Sequence, residues 1–248
     1  MSFDYEQIPE GFYDKIFEGP DGVRKFWHWH KFDSVLRCIE EKPNQTFLDI
    51  GCFSGSFIGR FVPHEVKATG VDILQTQIRY AERVFASSTK SFLYMQDFAD
   101  AKEKLKGEKF DIVTFIEVIE HLNHDQIRSF FDLLESVTSP GSQVVISTPN
   151  YLSIWPLLEV MLNQMSDVTY EEQHLTKFTY FNIMSKLEKI VPGIKEKYRI
   201  EIKATTHFVT PLISAFTYDF AVELSSKVSP IYWHNPFGCI TVVKLVRI

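Results

Sequence analysis

Phe47-Leu48-Asp49-Ile50-Gly51-Cys52-Phe53-Ser54-Gly55-Ser56-Phe57 is the stretch that decides the fold. An apolar run ends in Asp49, a turn carries Gly51 and Gly55, and a helical pattern begins at Ser56. The layout is that of a strand, a tight turn and a helix N-terminus, where backbone N–H groups point outward at a ligand. Glycine belongs in such a turn because the backbone takes unusual φ/ψ and the ligand approaches bare main chain. The spacing departs from G-x-G-x-x-G, so a dinucleotide is not the first expectation.

Working outward, Lys67–Ile73 reads as a second strand ending in Asp72. In a doubly wound sheet that places an acid at the crevice edge, about twenty residues past the glycine turn, where a carboxylate accepts both hydroxyls of a ribose. A solvated strand-end Asp is the plain alternative. Helix Gln75–Phe85 follows, then a third strand, Ser91–Met95, running into Gln96, Asp97 and Phe98. Phe110–Ile116 is a near-continuous apolar run, as a parallel strand buried on both faces should be. Asp125–Val137 is helical, and Gln143–Ser147 is a fifth strand. Strand–helix alternation with short connections predicts an α/β, doubly wound, Rossmann-like and mostly parallel sheet covered on both faces. Gly238–Val246 reads as a last strand, Lys197–Thr206 as the one before it, and Thr179–Ile190 and Leu212–Val228 as helices.

At 248 residues the chain suits one domain with a full core. Residues 151–178 and 207–235 are expected as helical inserts over the site, and 1–45 as an N-terminal helical lid. Residues 1–22 read as polar surface wrapping, followed by an amphipathic helix from Val23 to Glu40. On it Trp27, His28, Trp29 and His30 crowd one point. They are either packing residues with an exposed His, or part of a lid over the pocket. The net charge of −6 argues against a sequence-independent nucleic-acid binder, which wants a basic face. Cys38, Cys52 and Cys239 have no metal spacing, and reduced thiols in a cytoplasmic protein are the simple reading. No signal peptide or membrane-spanning run is expected.

Directly after the fourth strand stand Glu117, Glu120 and His121. Their i, i+3, i+4 spacing predicts three side chains on one helical face. Two carboxylates and an imidazole converging at a strand end suit a divalent cation such as Mg²⁺, Mn²⁺ or Zn²⁺, with His174 as a fourth ligand. Such an ion lowers the pKa of a bound hydroxyl; alternatively His121 or Glu117 takes the proton directly.

D-I-G-C-x-x-G after an apolar strand resembles the first motif of class I S-adenosylmethionine (SAM) dependent methyltransferases. Gly51 and Gly55 match its first and third glycines, and Phe53 replaces the middle one. The resemblance implies a seven-stranded sheet closed by an antiparallel final strand. It also implies SAM as cofactor, held around Asp49, Gly51, Cys52, Phe53, Gly55, Asp72, Ile73, Gln96, Asp97, Phe98 and Ile116. Asp97 would meet the adenine amine and Phe98 would cover the ring. Loss of the middle glycine is expected to leave binding intact, because Asp49, Gly51, Gly55, Asp72 and Asp97 all remain.

E-x-x-E-H with a later H-x-x-K-F resembles the ubiquinone-pathway O-methyltransferases and the 2′-O-methyltransferases of small RNAs. In both groups two Glu and two His hold a divalent ion, which implies Glu117, Glu120, His121 and His174 here. The former also carry an apolar, membrane-touching insert where Tyr151–Met165 stands. The leading expectation is O-methylation of a small hydroxylated acceptor, catechol-like or diol, with a lipid-linked form and peripheral membrane contact as extensions. RNA 2′-O-methylation, a non-catalytic SAM-binding regulator and an NAD-dependent enzyme are the competing readings.

Overall fold

The structure is a computed structural model that describes residues 8–157, 174–208, 210–227 and 235–248. Most of the apolar stretch expected as an insert, together with Glu171, Glu172, Gln173 and Val228, lies outside the described residues.

Helices α1 (Phe12–Glu18) and α2 (Val23–Leu36) precede strand β1 (Thr46–Ile50). Then come α3 (Ser56–Arg60), β2 (Lys67–Asp72), α4 (Gln75–Phe85), β3 (Lys90–Tyr94), α5 (Phe98–Lys104) and β4 (Ile112–Ile116). A 3₁₀ turn at Ile119–His121 leads to α6 (His124–Val137) and β5 (Gln143–Pro149). The rest comprises α7 (Ile183–Ile190), α8 (Ile194–Lys197), β6 (Tyr198–Thr206), α9 (Thr210–Ser214), α10 (Tyr218–Lys227) and β7 (Ile240–Arg247). The helix expected over Leu212–Val228 is thus two shorter ones, and α1 forms within the stretch read as polar surface wrapping.

The seven strands lie in the order β3-β2-β1-β4-β5-β7-β6. Strands β1 to β5 are parallel, and β7 runs antiparallel between β5 and β6. Strand alternation sorts the core into two faces. Leu48, Val113 and Val144 pack with Phe130 and Leu134 of α6 and Leu187 of α7. Their neighbours Phe47, Ile112 and Val145 pack on the other face with Val35 of α2, Phe57 and Ile58 of α3, and Ile78 and Ala81 of α4. Phe115 and Phe130 stack with ring centroids 3.9 Å apart, which locks α6 onto the middle of the sheet. The order of chain entry reverses between β1 and β4, so a crevice opens there beyond the strands' carboxyl ends.

Candidate active site

A cleft of about 1520 Å³ occupies that crevice. Its inner wall is the turn after β1. Gly51 has φ +78°, and a Cβ there would lie 2.5 Å from a Val118 methyl, so bare backbone is required twice over. Gly55 has φ +74° and backs onto Phe92 and Ala81 in the same way. Phe53 also takes a positive φ of 50°, a conformation uncommon for a non-glycine residue. Its N–H donates to Asp72 Oδ2 at 2.7 Å, and its ring meets Tyr13 at 4.8 Å instead of filling the turn.

Asp72 ends β2 on the cleft wall as expected, its Oδ1 accepting from the Leu74 N–H at 2.8 Å. Two backbone donors therefore aim the carboxylate. Asp49 is 2% exposed and accepts from the Thr114 hydroxyl at 2.7 Å. Burial pushes its pKa up to about 7; Thr114 lowers it and the Asp72 charge raises it. Cys52 is buried, and its thiol is pushed well up by burial and then by the charges of Asp72 and Asp49, so it is an inert packing group.

Ile73, Gln96, Asp97, Phe98 and Ile116 all line the same cleft. Asp97 is also the N-cap of α5, accepting from the Asp100 N–H at 2.8 Å. The Gln96 N–H donates to Asp100 Oδ2, which staples the β3–α5 turn.

The N-terminal segment closes the outer wall, and its contribution was only partly visible in the sequence. Gln77 of α4 accepts from the Gly11 N–H and donates to the carbonyls of Ile8 and Pro9. Asp14, fully buried, accepts from Arg60 Nε at 2.6 Å, Arg60 Nη2 at 2.9 Å and the Tyr80 hydroxyl at 2.9 Å. These bonds hold Pro9, Phe12 and Tyr13 against the cleft. On α2, His30 is buried while His28 faces the cleft, with a pKa depressed by burial and by the Lys31 and Arg24 charges. Lys31, 7% exposed, reaches the cleft floor and pairs with Glu117 Oε2 at 2.5 Å. Nothing in the sequence pattern singled out Lys31, because the partner lies 86 residues away.

At the floor, Glu117, Glu120 and His121 do not share a helical face. The Glu117 N–H donates to the Ser147 carbonyl at 3.0 Å, prolonging strand pairing past β4, and the chain reverses at Glu117 with φ +52°. Only Ile119–His121 then forms a 3₁₀ turn. Glu117 is thereby committed to Lys31, while Glu120, His121 and His174 come together, one ligand atom of each lying within 4.8 Å of the others. His174 is delivered by Thr176, whose N–H and hydroxyl donate to the carbonyls of Glu120 and Leu122 at 2.9 and 2.7 Å.

Glu120 is 1% exposed and accepts from the Thr148 hydroxyl at 3.0 Å. Burial, and then the Glu117 charge, holds its carboxyl well above the usual range. Burial likewise lowers His174 to about 3, so its imidazole is neutral and able to bind through nitrogen. Tetrahedral metal–ligand bonds of about 2.0–2.2 Å put ligand atoms roughly 3.3–3.6 Å apart. A contraction of the group therefore accommodates a divalent ion, and a buried carboxylate beside two imidazoles fits one chemically.

A glycine turn, a strand-end acid and a cleft at the carboxyl ends of this strand order define a Rossmann-like methyltransferase fold. The chain belongs to the methyltransferase domain family, whose profile matches residues 26–189. Among curated relatives, a ubiquinone biosynthesis O-methyltransferase of Pseudomonas fluorescens is 30% identical over 117 residues, 45% of this chain and 49% of that protein. A protein of the same name from Brucella ovis is 30% identical over 146 residues, 52% of this chain and 58% of its own. The chain thus spans about half the length of these relatives. Among solved structures, magnesium protoporphyrin IX methyltransferase of Synechocystis with bound SAH is 16% identical with a TM-score of 0.58, covering 95% of this chain and 93% of that one. The plantazolicin methyltransferase with bound SAH is 14% identical with a TM-score of 0.57, over 95% and 88% of the two chains. Both share the fold. Among the described residues no helix is long and apolar enough to cross a membrane.

Proposed function

We propose that the protein transfers the methyl group of SAM to a hydroxyl oxygen of a small acceptor carrying two adjacent oxygens, with a divalent cation held by Glu120, His121 and His174. The observation that carries this reading is the convergence of those three ligand atoms at the floor of the cofactor cleft. The names of the relatives, matched over about half their length, favour oxygen as the methylated atom.

SAM is a zwitterion at its methionyl end, and Lys31 and Glu117 form an internal ion pair of matching charges on the same floor. In this reading the α-carboxylate takes Lys31 and the α-ammonium takes Glu117. That assignment removes Glu117 from the role of proton acceptor and from the ligand set. Asp72 takes the ribose hydroxyls, and the sulfonium methyl points toward His121.

A divalent cation bound at the three side chains supplies charge that acidifies the acceptor hydroxyl. The chain's own residues do the rest. The turn and Asp72 fix the donor, the strap at Pro9–Tyr13 excludes water, and Glu120 stays rigid through Thr148. His121 is the most exposed of the three, so without a cation its imidazole takes the hydroxyl proton as the oxygen attacks the methyl carbon and SAH leaves. Most of the rate gain comes from aligning the two reactants. Ile154, Phe208 and Leu212 line the cleft mouth, which favours an acceptor with an apolar tail; the last two are half exposed and support contact with a membrane surface.

Turnover of catechol-type acceptors with SAM, measured with and without excess chelator, tests the reading. Activity lost with chelator and restored by a divalent ion, at unchanged SAH affinity, is the expected result. Full activity in chelator overturns the metal and leaves His121 as the base.

A further inference from the structure

Phe53 brings to the glycine turn something that the backbone there does not need. Its N–H donates to Asp72 Oδ2 at 2.7 Å, a bond that any residue except proline supplies. Its φ of +50° is a conformation that glycine takes freely and a side chain does not. The ring is therefore what phenylalanine adds at this position.

That ring has a defined neighbour. It lies 4.8 Å from the ring of Tyr13 on the strap, and Tyr13 lies 5.1 Å from the ring of His28 on α2. Phe12, next to Tyr13, carries the Arg24 guanidinium over its face at 4.6 Å. All five residues line the cleft. The strap is also fastened to α3 and α4, through Arg60 and Tyr80 on Asp14 and through Gln77 on Ile8, Pro9 and Gly11. Those bonds tie it to the helices, whereas Tyr13 joins the turn after β1 to α2. In the reading above the cofactor spans the same two elements, with the turn and Asp72 at one end and Lys31 of α2 at the other.

Resting on that reading of the cofactor, we infer that Phe53 is a positioning residue that retains the donor. Its ring is the foot of an aromatic bridge, Phe53–Tyr13–His28, which holds the strap over the bound cofactor. Glycine in its place eases the backbone but removes the turn's hold on Tyr13. A restored middle glycine is therefore expected to loosen the cofactor, the reverse of what close approach to bare backbone alone would give.

The test follows release of radiolabelled SAH from the full chain after a chase with unlabelled SAH. The contact energy of an aromatic pair corresponds to a change in rate of roughly 2- to 12-fold. F53G is expected to release SAH faster by that factor, and F53Y, which keeps the ring, to stay within about twofold of wild type. In a Y13A background F53G is expected to change release by less than about twofold, because Phe53 acts through Tyr13. Release from F53G as slow as from wild type, or slower, overturns the inference and leaves the cofactor assignment standing. So does an equal acceleration in both backgrounds, or an F53Y that releases as fast as F53G. A wild type that binds no SAH at millimolar concentration overturns the cofactor assignment and this inference together. Should F53G fail to fold, F53N takes its place, since asparagine tolerates positive φ and has no ring, with the same expected and overturning results.

Discussion

Single residues set the electrostatics of the cleft. Asp49 has a pKa of about 7 in the folded protein against 3.8 for an ordinary aspartate. Between these values the folded state holds a proton that the unfolded state has lost, so the contribution of Asp49 to stability falls as pH rises from about 4 to 7 and is flat above. Three pKa units correspond to roughly 4 kcal/mol, an upper figure for a group this buried. D49N is expected to flatten the stability–pH slope of the ligand-free protein over that window, measured by urea denaturation at several pH values. A slope unchanged in D49N would remove Asp49 as its origin. Lys31 makes a sharper case. A charge-assisted bond is worth about 1.5–3 kcal/mol, so K31Q is expected to weaken SAH roughly 10- to 100-fold. It should leave 5′-methylthioadenosine, which lacks the amino-acid end, bound as in wild type. Equal losses for both ligands would place Lys31 away from the methionyl end. The role of Lys31 does not follow from local pattern: it is one of several basic residues on an amphipathic helix, and its burial and its pairing with Glu117 make it different.

At the scale of elements, the N-terminal strap is the part that long-range contacts make. Its helix α1 buries a carboxylate, which local propensity disfavours. Burial pushes the Asp14 pKa up, but Arg60 with the Ser56 and Tyr80 hydroxyls more than reverses it, so the group stays ionised and gripped. R60A leaves that charge buried without a partner and is expected to cost about 2–3 kcal/mol. This is below the full value for a buried pair because Arg60 is about one-third exposed. D14N, which removes the charge as well, should cost less. Both should speed proteolysis ahead of Val23 and weaken SAH; R60A no more harmful than D14N would contradict the account. The E-x-x-E-H segment teaches the complementary point. Its spacing predicted one helical face, but strand pairing runs through Glu117 and the reversal there turns that carboxylate to Lys31 instead of to Glu120.

For the molecule as a whole, ligand and fold stability are linked. A ligand at a hundred times its Kd stabilises the native state by about 2.7 kcal/mol. For a domain of this size that corresponds to a rise in Tm of about 5–10 °C. Saturating SAH is expected to give such a shift in a thermal melt and NAD none; the opposite result would refute the cofactor assignment. Strand β7, inserted antiparallel between β5 and β6, returns the chain from the edge of the sheet to the side of β5. Cys239 just ahead of it borders the cleft, and the Asn150 N–H donates to its carbonyl at 2.7 Å. The far end of the chain thus helps to shape the acceptor side.

The glycine turn, the strand-end acids and the alternation of buried strands with amphipathic helices were legible in the chain because each is a local rule. Positive φ calls for glycine, a parallel strand buried on both faces calls for continuous apolar residues, and a crevice-side acid sits at a set distance along one βαβ unit. From those rules the sequence alone determined the fold and most of the cleft's inner wall, while the class of cofactor was implied by the turn's resemblance to a family motif. The tertiary structure decided which charges meet: Lys31 with Glu117, Asp14 with Arg60, and Glu120 with two imidazoles from separate segments. Such pairings join residues that are distant along the chain or set at a turn no local pattern foretells. Their energies depend on burial that exists only once the chain has packed.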